Sequence, residues 1–282
     1  MRQAYWTLRT SYSGHFMALN ETLNNSTLTG KMPVLFVGHG NPMNAITDNS
    51  YSQSWKTIGE QLPVPNAILC ISAHWLTKGT FVTMAEQPKT LHDFGGFPKE
   101  LFAVQYPATG APEYARRLIS AIKSTTVQED FAWGLDHGAW SILKNMYPNA
   151  NIPVFQMSID ATKPPLYHFN LAKELFELRN QGLASGNIVH NLGILSWDGK
   201  IKAFDWALEF DAFVKKNIID NNPIALIDYQ KLGKLATLAH PSNEHYLPLL
   251  YALGLRDNTD SVQFFNEEMD LGSLSMRSVV FS

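Results

Sequence analysis

Short apolar runs, separated by segments of helical periodicity, restrict most strongly the fold that this chain can adopt. The runs have the length and β-branched content of buried strands, and they cover 33–37, 67–73, 81–84, 152–159, 185–189 and 274–281. Helical spacing predicts helices over 112–122, 166–178 and 204–214, and Pro248 and Gly254 suit the two ends of a short one. This alternation predicts an α/β fold: a single three-layer domain whose central sheet is mixed but largely parallel, with helices on both faces.

The domain organisation follows from length and local composition. A chain of 282 residues, 45% of them apolar, suffices for one large domain, and no linker rich in Gly, Ser or Pro divides it. Residues 1–31 are rich in Ser, Thr and Asn and lack the apolar centre of a signal peptide. We therefore expect a weakly ordered leader over 1–31 and a folded domain over 32–282.

Composition excludes several classes of partner. The formal net charge is −3, from 22 basic and 25 acidic residues without long runs, which argues against nucleic acid. No stretch reaches the ~18 to 20 apolar residues of a membrane span, so we expect no membrane partner. The single cysteine, Cys70, lies in an apolar run, so there is no intrachain disulfide and a cytoplasmic location is expected.

Histidines follow three of the predicted strands, at the point where each strand ends. His39, His74 and His190 come directly after the runs 33–37, 67–73 and 185–189 or the short turns that close them. If these strands are parallel neighbours, the three imidazoles emerge at one edge of the sheet and could together hold a divalent metal ion. The alternative for each histidine taken singly is a hydrogen-bonded packing residue.

Two further histidines are candidates for the same site. His137 lies in a loop before a predicted helix, where a neighbouring carboxylate could fix its tautomer; the alternative is a cap at the end of the loop. His245 follows Glu244 just ahead of the helix that begins near Pro248. His240 is five residues from His245, which does not match the i, i+4 spacing of a helical metal pair, and we expect it to be a bystander.

The remaining motifs narrow the chemistry without deciding it. The loop around His92, with Phe94 and Phe97, is either a pocket wall or an ordered surface loop. There is no Gly-x-Ser-x-Gly elbow, no P-loop and no dinucleotide fingerprint. From the residues alone, the expectation is a mononuclear metal site in an α/β crevice, with metal-activated hydrolysis and oxygen chemistry both open.

Six separated motifs together resemble the class III (LigB-type) extradiol ring-cleavage dioxygenases, specifically the 4,5-DOPA extradiol dioxygenase subfamily. They occur in the family's order: GHGNPM (38–43), SAHW (72–75), HDFGGFP (92–98), DHG (136–138), VHNL (189–192) and EHYLPL (244–249). The resemblance extends from Met32 to the carboxyl end, and it implies that 32–282 is an extradiol dioxygenase-like catalytic domain. The leader lies outside it.

The resemblance implies oxidoreductase chemistry: O₂ opens the ring of a DOPA-like catechol beside its hydroxyl pair and yields a muconate semialdehyde. One divalent metal ion is implied, with Fe²⁺ expected for activity and Zn²⁺ as an alternative bound metal. By resemblance, His39, His74 and His245 are metal ligands and His137 is the substrate-facing acid/base. His190 is either a further ligand or a second acid/base.

At this point, alternatives remain for the third metal ligand and for the reaction class. Non-haem iron commonly takes two histidines and a carboxylate, and Glu244 would complete that set only if its side chain, and not that of His245, points inward. The competing functions are a zinc-dependent hydrolase on the same scaffold and a non-catalytic metal-binding or small-molecule-binding protein. Candidates for an aromatic pocket wall are Trp75, Phe94, Phe97 and Tyr246.

Overall fold

The computed structural model describes residues 31–179, 183–196 and 202–282, and the leader expected over 1–31 lies, apart from Lys31, outside them. Twelve strands occur in the described part of the chain. They are β1 (Val34–Gly38), β2 (Ile68–Ser72), β3 (Leu76–Thr77), β4 (Thr80–Thr83), β5 (Val127–Asp130), β6 (Val154–Gln156), β7 (Ile159–Asp160), β8 (Leu183–Gly186), β9 (Val262–Phe265), β10 (Met269–Asp270), β11 (Leu274–Ser275) and β12 (Ser278–Phe281).

Nine α-helices connect the described strands, together with 3-10 turns at Pro42–Ala45, Phe176–Leu178 and Tyr229–Leu232. The helices are α1 (Ser50–Gln61), α2 (Lys99–Phe102), α3 (Pro112–Ala121), α4 (His137–Met146), α5 (Pro165–Glu174), α6 (Asp205–Ile219), α7 (Pro223–Ile227), α8 (Lys234–Ala239) and α9 (Leu247–Leu255). Within the described ranges, no helix combines the length and apolarity needed to cross a membrane.

The central sheet has six strands in the order β6-β2-β8-β1-β12-β9. β6, β2, β8 and β1 pair in parallel, whereas β12 runs antiparallel to both β1 and β9. Parallel strands need crossover connections, and helices between successive strands supply them. The predicted sheet, mixed but largely parallel, is confirmed.

The two faces of the sheet carry separate apolar cores, because successive side chains of a strand point to opposite faces. In β1, Val34 and Phe36 belong to a core that includes residues of α3, α5, α6 and α9. Leu35 and Val37 belong to the other core, with residues of α1 and α4. Helices therefore cover both faces, and the predicted three-layer single domain is confirmed.

Several boundaries differ from those that the sequence predicts. The run 152–159 is divided between β6 and β7, and β8 ends at Gly186 instead of continuing to 189. The apolar periodicity of the sequence does not predict α1, because Trp55 and Ile58 are the only large buried apolar side chains of this helix. The start of α1 carries a clearer signal, since Asn49 and Ser52 form a reciprocal capping box.

Candidate active site

One edge of the central sheet gathers the histidines, as the spacing predicts. β2, β8 and β1 are parallel neighbours, so their carboxyl ends meet at the same edge. His39 follows β1 directly, and His74 follows β2 after one intervening residue. The start of α4 brings His137 to this edge, and the segment before α9 brings His245. His190 reaches the site differently from the prediction, because β8 ends four residues before it.

The segment that carries His245 is fixed against the end of β8. The backbone amide of Asn187 donates to the His245 carbonyl at 2.9 Å. A Cβ at Gly186 would lie 2.3 Å from the same carbonyl oxygen, so only glycine allows this approach.

His39, His74 and His245 form a group made up entirely of histidines. Each offers one nitrogen, and the three nitrogens lie within 4.8 Å of one another. The Nε2 atoms of His39 and His74 are 3.1 Å apart. Two nitrogens bound to one ion at ~2.0–2.1 Å would be ~3.3 Å apart at the tetrahedral angle. The spacing of the nitrogens therefore suits a single metal ion.

The hydroxyl of Ser185 determines which nitrogen of His39 carries the proton. The Ser185 Oγ donates its only hydrogen to the Gly138 carbonyl at 2.7 Å. It lies 3.1 Å from His39 Nδ1 and can therefore only accept there, from an Nδ1–H. The Nε2 atom of neutral His39 then keeps its lone pair, on the side that faces His74.

His245 has the same arrangement. Its Nδ1 lies 3.3 Å from a carboxylate oxygen of Glu244, which can only accept a hydrogen bond. Its Nε2 is buried and has no hydrogen-bond partner among the described groups. A buried acceptor left unpaired costs ~1–3 kcal/mol. A divalent ion would satisfy this nitrogen, so the donor set fits a metal.

Burial keeps these imidazoles neutral, which is the form that binds metal. Desolvation, reinforced by the neighbouring histidines, holds the pKa values of His39 and His245 well below the usual range. Burial and the adjacent His137 also lower the pKa of His74. Burial lowers the pKa of His190 to about 4.

His137 is held by Asp93, a residue to which the sequence assigns no role. The Asp93 carboxylate accepts from the His137 backbone amide and from His137 Nδ1, each at 2.9 Å. It also lies 3.5 Å from His74 Nδ1. Asp136, the carboxylate next to His137 in the sequence, has its hydrogen bonds elsewhere, and Asp93 is the carboxylate that contacts the His137 ring.

Asp136 instead ties α4 to the ends of two strands. It caps the helix, accepts from Ser72 Oγ at 2.6 Å and from Gln156 Nε2 at 2.7 Å. The Ser72 Oγ in turn accepts from the His74 backbone amide at 3.2 Å. Burial, with the nearby Asp93, raises the pKa of Asp136. This network positions the backbone of both His74 and His137.

His190 lies against His245. The two rings stack in parallel, with centroids 3.5 Å apart and planes 4° apart. Among the described residues, His190, Glu244 and His245 form another group whose ligand atoms are close enough to hold a metal ion, and His190 shares no such group with His39 or His74. Glu244 likewise groups with His190 and His245, so His245, not Glu244, completes the cluster with His39 and His74.

The aromatic candidates divide between site and core. The Phe94 ring lies 5.4 Å from the His137 ring and packs against Phe97. Trp75 is buried against Trp133, and the hydroxyl of the fully buried Tyr246 donates to a backbone carbonyl in α7. Phe94 is therefore the candidate that contacts a site histidine.

Three other histidines take part in none of these clusters. His92 packs its ring against Trp140 and bonds to the Val104 carbonyl at 3.0 Å. The Nε2 of His240 bonds to the Ile188 carbonyl, and His168 is buried in α5.

Residues 32–281 match the family described as the catalytic LigB subunit of aromatic ring-opening dioxygenases. The chain belongs to the LigB family. A 4,5-DOPA dioxygenase extradiol of Escherichia coli K12 is 46% identical to this LigB chain over 256 residues, which are 88% of this chain and 94% of the relative. The corresponding Beta vulgaris protein is 33% identical over 88% of this chain and 95% of its own length.

A solved structure is also similar to this LigB-family chain. The crystal structure of an uncharacterized Escherichia coli K12 protein superposes with a TM-score of 0.78 at 41% identity, covering 89% of this chain and all of the other. The chain is thus an extradiol ring-cleavage dioxygenase of the 4,5-DOPA subfamily. This reaction class replaces the zinc hydrolase and the non-catalytic protein that the residues alone left open.

Proposed function

We propose that this dioxygenase opens the ring of a DOPA-like catechol with O₂ beside the hydroxyl pair, giving a muconate semialdehyde that retains both oxygen atoms. The relatives named 4,5-DOPA dioxygenase extradiol support this substrate class. The observation that carries the proposal is the convergence of His39, His74 and His245 nitrogens within 4.8 Å, beside His137. No external reductant is needed, because the two electron pairs come from the catechol itself.

We assign one divalent ion to His39, His74 and His245. When bound, it would chelate both catechol oxygens, favour their deprotonation and, as Fe²⁺, supply the redox activity that O₂ chemistry needs. Zn²⁺ fits the same nitrogens but has no accessible redox change, so zinc-loaded protein should bind catechol without turnover.

In this proposal His137 is the acid/base that faces the substrate. Its Nδ1–H is used by Asp93, so the neutral ring keeps a lone pair on Nε2 that can accept a catechol proton and later return it. The His137 ring centroid lies 3.9 Å from that of His74, and this closeness to a proposed metal ligand supports the role. Phe94, in contact with the same ring, contributes an apolar wall.

We place His190 among the substrate-facing groups and not among the ligands. Two observations support this assignment: in the described part of the chain, His190 shares no group of close ligand atoms with His39 or His74, and lone pairs in the planes of two stacked rings do not converge on one ion. Burial keeps it neutral near pH 7, since its pKa is lowered to about 4, so it can donate one hydrogen bond and accept another.

The test is anaerobic loading of the full chain with Fe²⁺, followed by L-DOPA and ¹⁸O₂. We expect one O₂ consumed per catechol, a yellow product, and ¹⁸O in the new carboxylate of that product, since the aldehyde oxygen exchanges with water. Zinc-loaded protein is the matched control and should bind the catechol without consuming O₂. No O₂ uptake with L-DOPA or with simpler catechols in iron-loaded protein would reject the proposal. A product without label would reject ring opening by O₂.

A further inference from the structure

We propose that Asp93 is a positioning residue that fixes both the orientation and the tautomer of His137 and links this residue to His74. The inference rests on the proposed role of His137 and names the group through which that role is set. Asp93 does not contact the reacting atoms in this scheme; it acts through His137.

The two oxygens of Asp93 have separate partners on one residue. Oδ1 accepts from the backbone amide of His137 and Oδ2 from its Nδ1, both at 2.9 Å. A carboxylate has no hydrogen to donate, so Nδ1 must be protonated and Nε2 must carry the lone pair. The backbone contact fixes the carboxylate against the start of α4, and the contact to Nδ1 then orients the ring. Without Asp93, nothing among these contacts selects the tautomer.

The charge on Asp93 is maintained by the same contacts. Burial alone would raise the pKa of this carboxyl, but the hydrogen bonds from the side chain and backbone of His137 outweigh it and hold the pKa below its usual range. The Asp93 carboxylate also lies against His137, the first residue of α4, and the free backbone amides at a helix start favour an anion. The side chain is 19% exposed, so the interaction is only partly screened by water.

The loop that carries Asp93 is anchored independently of its carboxylate. The amide of Leu91 donates to the Leu135 carbonyl and that of Leu135 to the Lys89 carbonyl, both at 2.8 Å. The Trp140 indole donates to the Leu91 carbonyl at 2.7 Å. Replacing the carboxylate should therefore leave the loop in place.

Asp93→Asn makes a definite prediction for the tautomer. The side-chain amide of the asparagine has a single oxygen, and that oxygen is needed to accept from the His137 backbone N–H. The NH₂ group of the asparagine then faces His137 Nδ1, so Nδ1 must accept a hydrogen bond. The proton of His137 should move to Nε2. Asp136→Asn is the matched control, because Asp136 lies at the same helix start and contacts Ser72 and Gln156 but not the His137 ring.

The first experiment needs no turnover. Zinc-loaded protein with ¹⁵N-labelled histidine is examined by long-range ¹H–¹⁵N NMR, and the His137 signals are identified by their loss in His137→Ala. We expect the Nδ1–H form in wild type and Asp136→Asn, and the Nε2–H form in Asp93→Asn. An unchanged tautomer in Asp93→Asn overturns the proposal. Zinc affinity falling as far as in His74→Ala overturns it as well, because Asp93 would then belong to the metal site.

The second experiment is a double-mutant cycle on iron-loaded enzyme. Asp93→Asn should lower kcat by ~10²-fold, the lower end of general acid/base effects, with KM nearly unchanged. In a His137→Ala background the same change should alter kcat by less than about threefold, because the residue through which Asp93 acts is gone. Additive losses would overturn the proposal. If wild type turns over no catechol, the proposed function fails, while the NMR result still decides the role of Asp93.

Discussion

The Nε2 atoms of His39 and His74 lie 3.1 Å apart, each on an imidazole delivered by a different strand of the sheet. The Nδ1 atom of His39 is committed to Ser185, and that of His74 is turned toward Asp93. The Nε2 of His39 therefore keeps its lone pair toward His74, and a His74 ring protonated at Nδ1, on the side of Asp93, presents a lone pair in return. Two buried lone pairs at this distance repel unless a proton or a cation lies between them, which is the physical reason to assign a metal here.

Removing any one of the three proposed ligands should release the ion. His39→Ala, His74→Ala and His245→Ala should each weaken metal binding by more than ~10–100-fold, which is the loss typical when a residue that hydrogen-bonds to a ligand is replaced. The measurement is metal per protein by mass spectrometry after dialysis. His240→Ala is the matched control: this histidine is also buried, but it bonds to the Ile188 carbonyl and should retain wild-type metal. Full metal content in two of the ligand variants would contradict the assignment.

Ser185→Ala should weaken metal binding without removing a ligand. The change leaves His39 Nδ1 without its acceptor, so both the tautomer and the ring orientation are released, and we expect a loss of ~10–100-fold in zinc affinity. Competition against a chromophoric chelator measures it. Ser158→Ala provides the comparison, since Ser158 is equally buried and hydrogen-bonded, but to Thr77 and Phe81. Equal affinities in the two variants would show that Ser185 does not act on His39.

His137→Ala should separate metal binding from turnover. The variant keeps the His39, His74 and His245 nitrogens, so we expect wild-type metal content, whereas kcat should fall by ~10²- to 10⁴-fold because the proton acceptor is lost. Metal analysis and O₂ uptake are measured on the same sample. Loss of the ion in this variant would place His137 among the ligands.

The histidine positions could be predicted from local sequence because buried parallel strands are short, continuous apolar runs. Once β1, β2 and β8 are identified, the rule that parallel strands share a carboxyl edge predicts that His39, His74 and His190 lie at one edge of the sheet. The apolar run 185–189 gives the wrong end for β8, however. Ile188 and Val189 are fully buried outside any strand, so apolar composition alone does not mark where β8 stops.

The residues that orient the histidines could not be predicted in this way. Asp93 is 44 residues from His137, and Ser185 is 146 residues from His39. Their contacts depend on how loops and strands meet in space, and no periodicity in the sequence reports that. The adjacent Asp136 is the natural choice from sequence, but as the cap of α4 its carboxylate turns back to its own helix amides and to Ser72.

Gly138→Ala should disturb the site through packing alone. A Cβ there would lie 2.5 Å from Ser72 Oγ and 2.9 Å from His74 Cδ2, and the hydrogen bonds of Ser72 prevent it from yielding. Alanine in a helix usually gains up to ~1 kcal/mol over glycine, but here the clash should dominate and cost ~1–3 kcal/mol of unfolding free energy.

Urea unfolding and metal content together test the Gly138→Ala prediction, since displaced His74 should also reduce metal retention. Gly95→Ala is the control, because a Cβ at Gly95 meets no atom within 4 Å. It should leave both quantities near wild type. A stabilised Gly138→Ala protein with full metal content would contradict the packing around His74.

His168 should make the metal-free protein sensitive to acid. Burial lowers its pKa to about 4, whereas the unfolded chain titrates near ~6.5. Above ~pH 6.5, His168 is neutral in both the folded and the unfolded state. Between pH 6.5 and about pH 4, only the unfolded state binds the proton. The free energy of unfolding therefore falls as pH falls, by about 3 kcal/mol over this range. Urea unfolding with a chelator at pH 7 and pH 5 measures the loss, which His168→Gln should reduce by about 2 kcal/mol relative to wild type. A constant offset between the two proteins at both pH values would report lost packing around Tyr251, the hydrogen-bond partner of His168, and would contradict a titrating role.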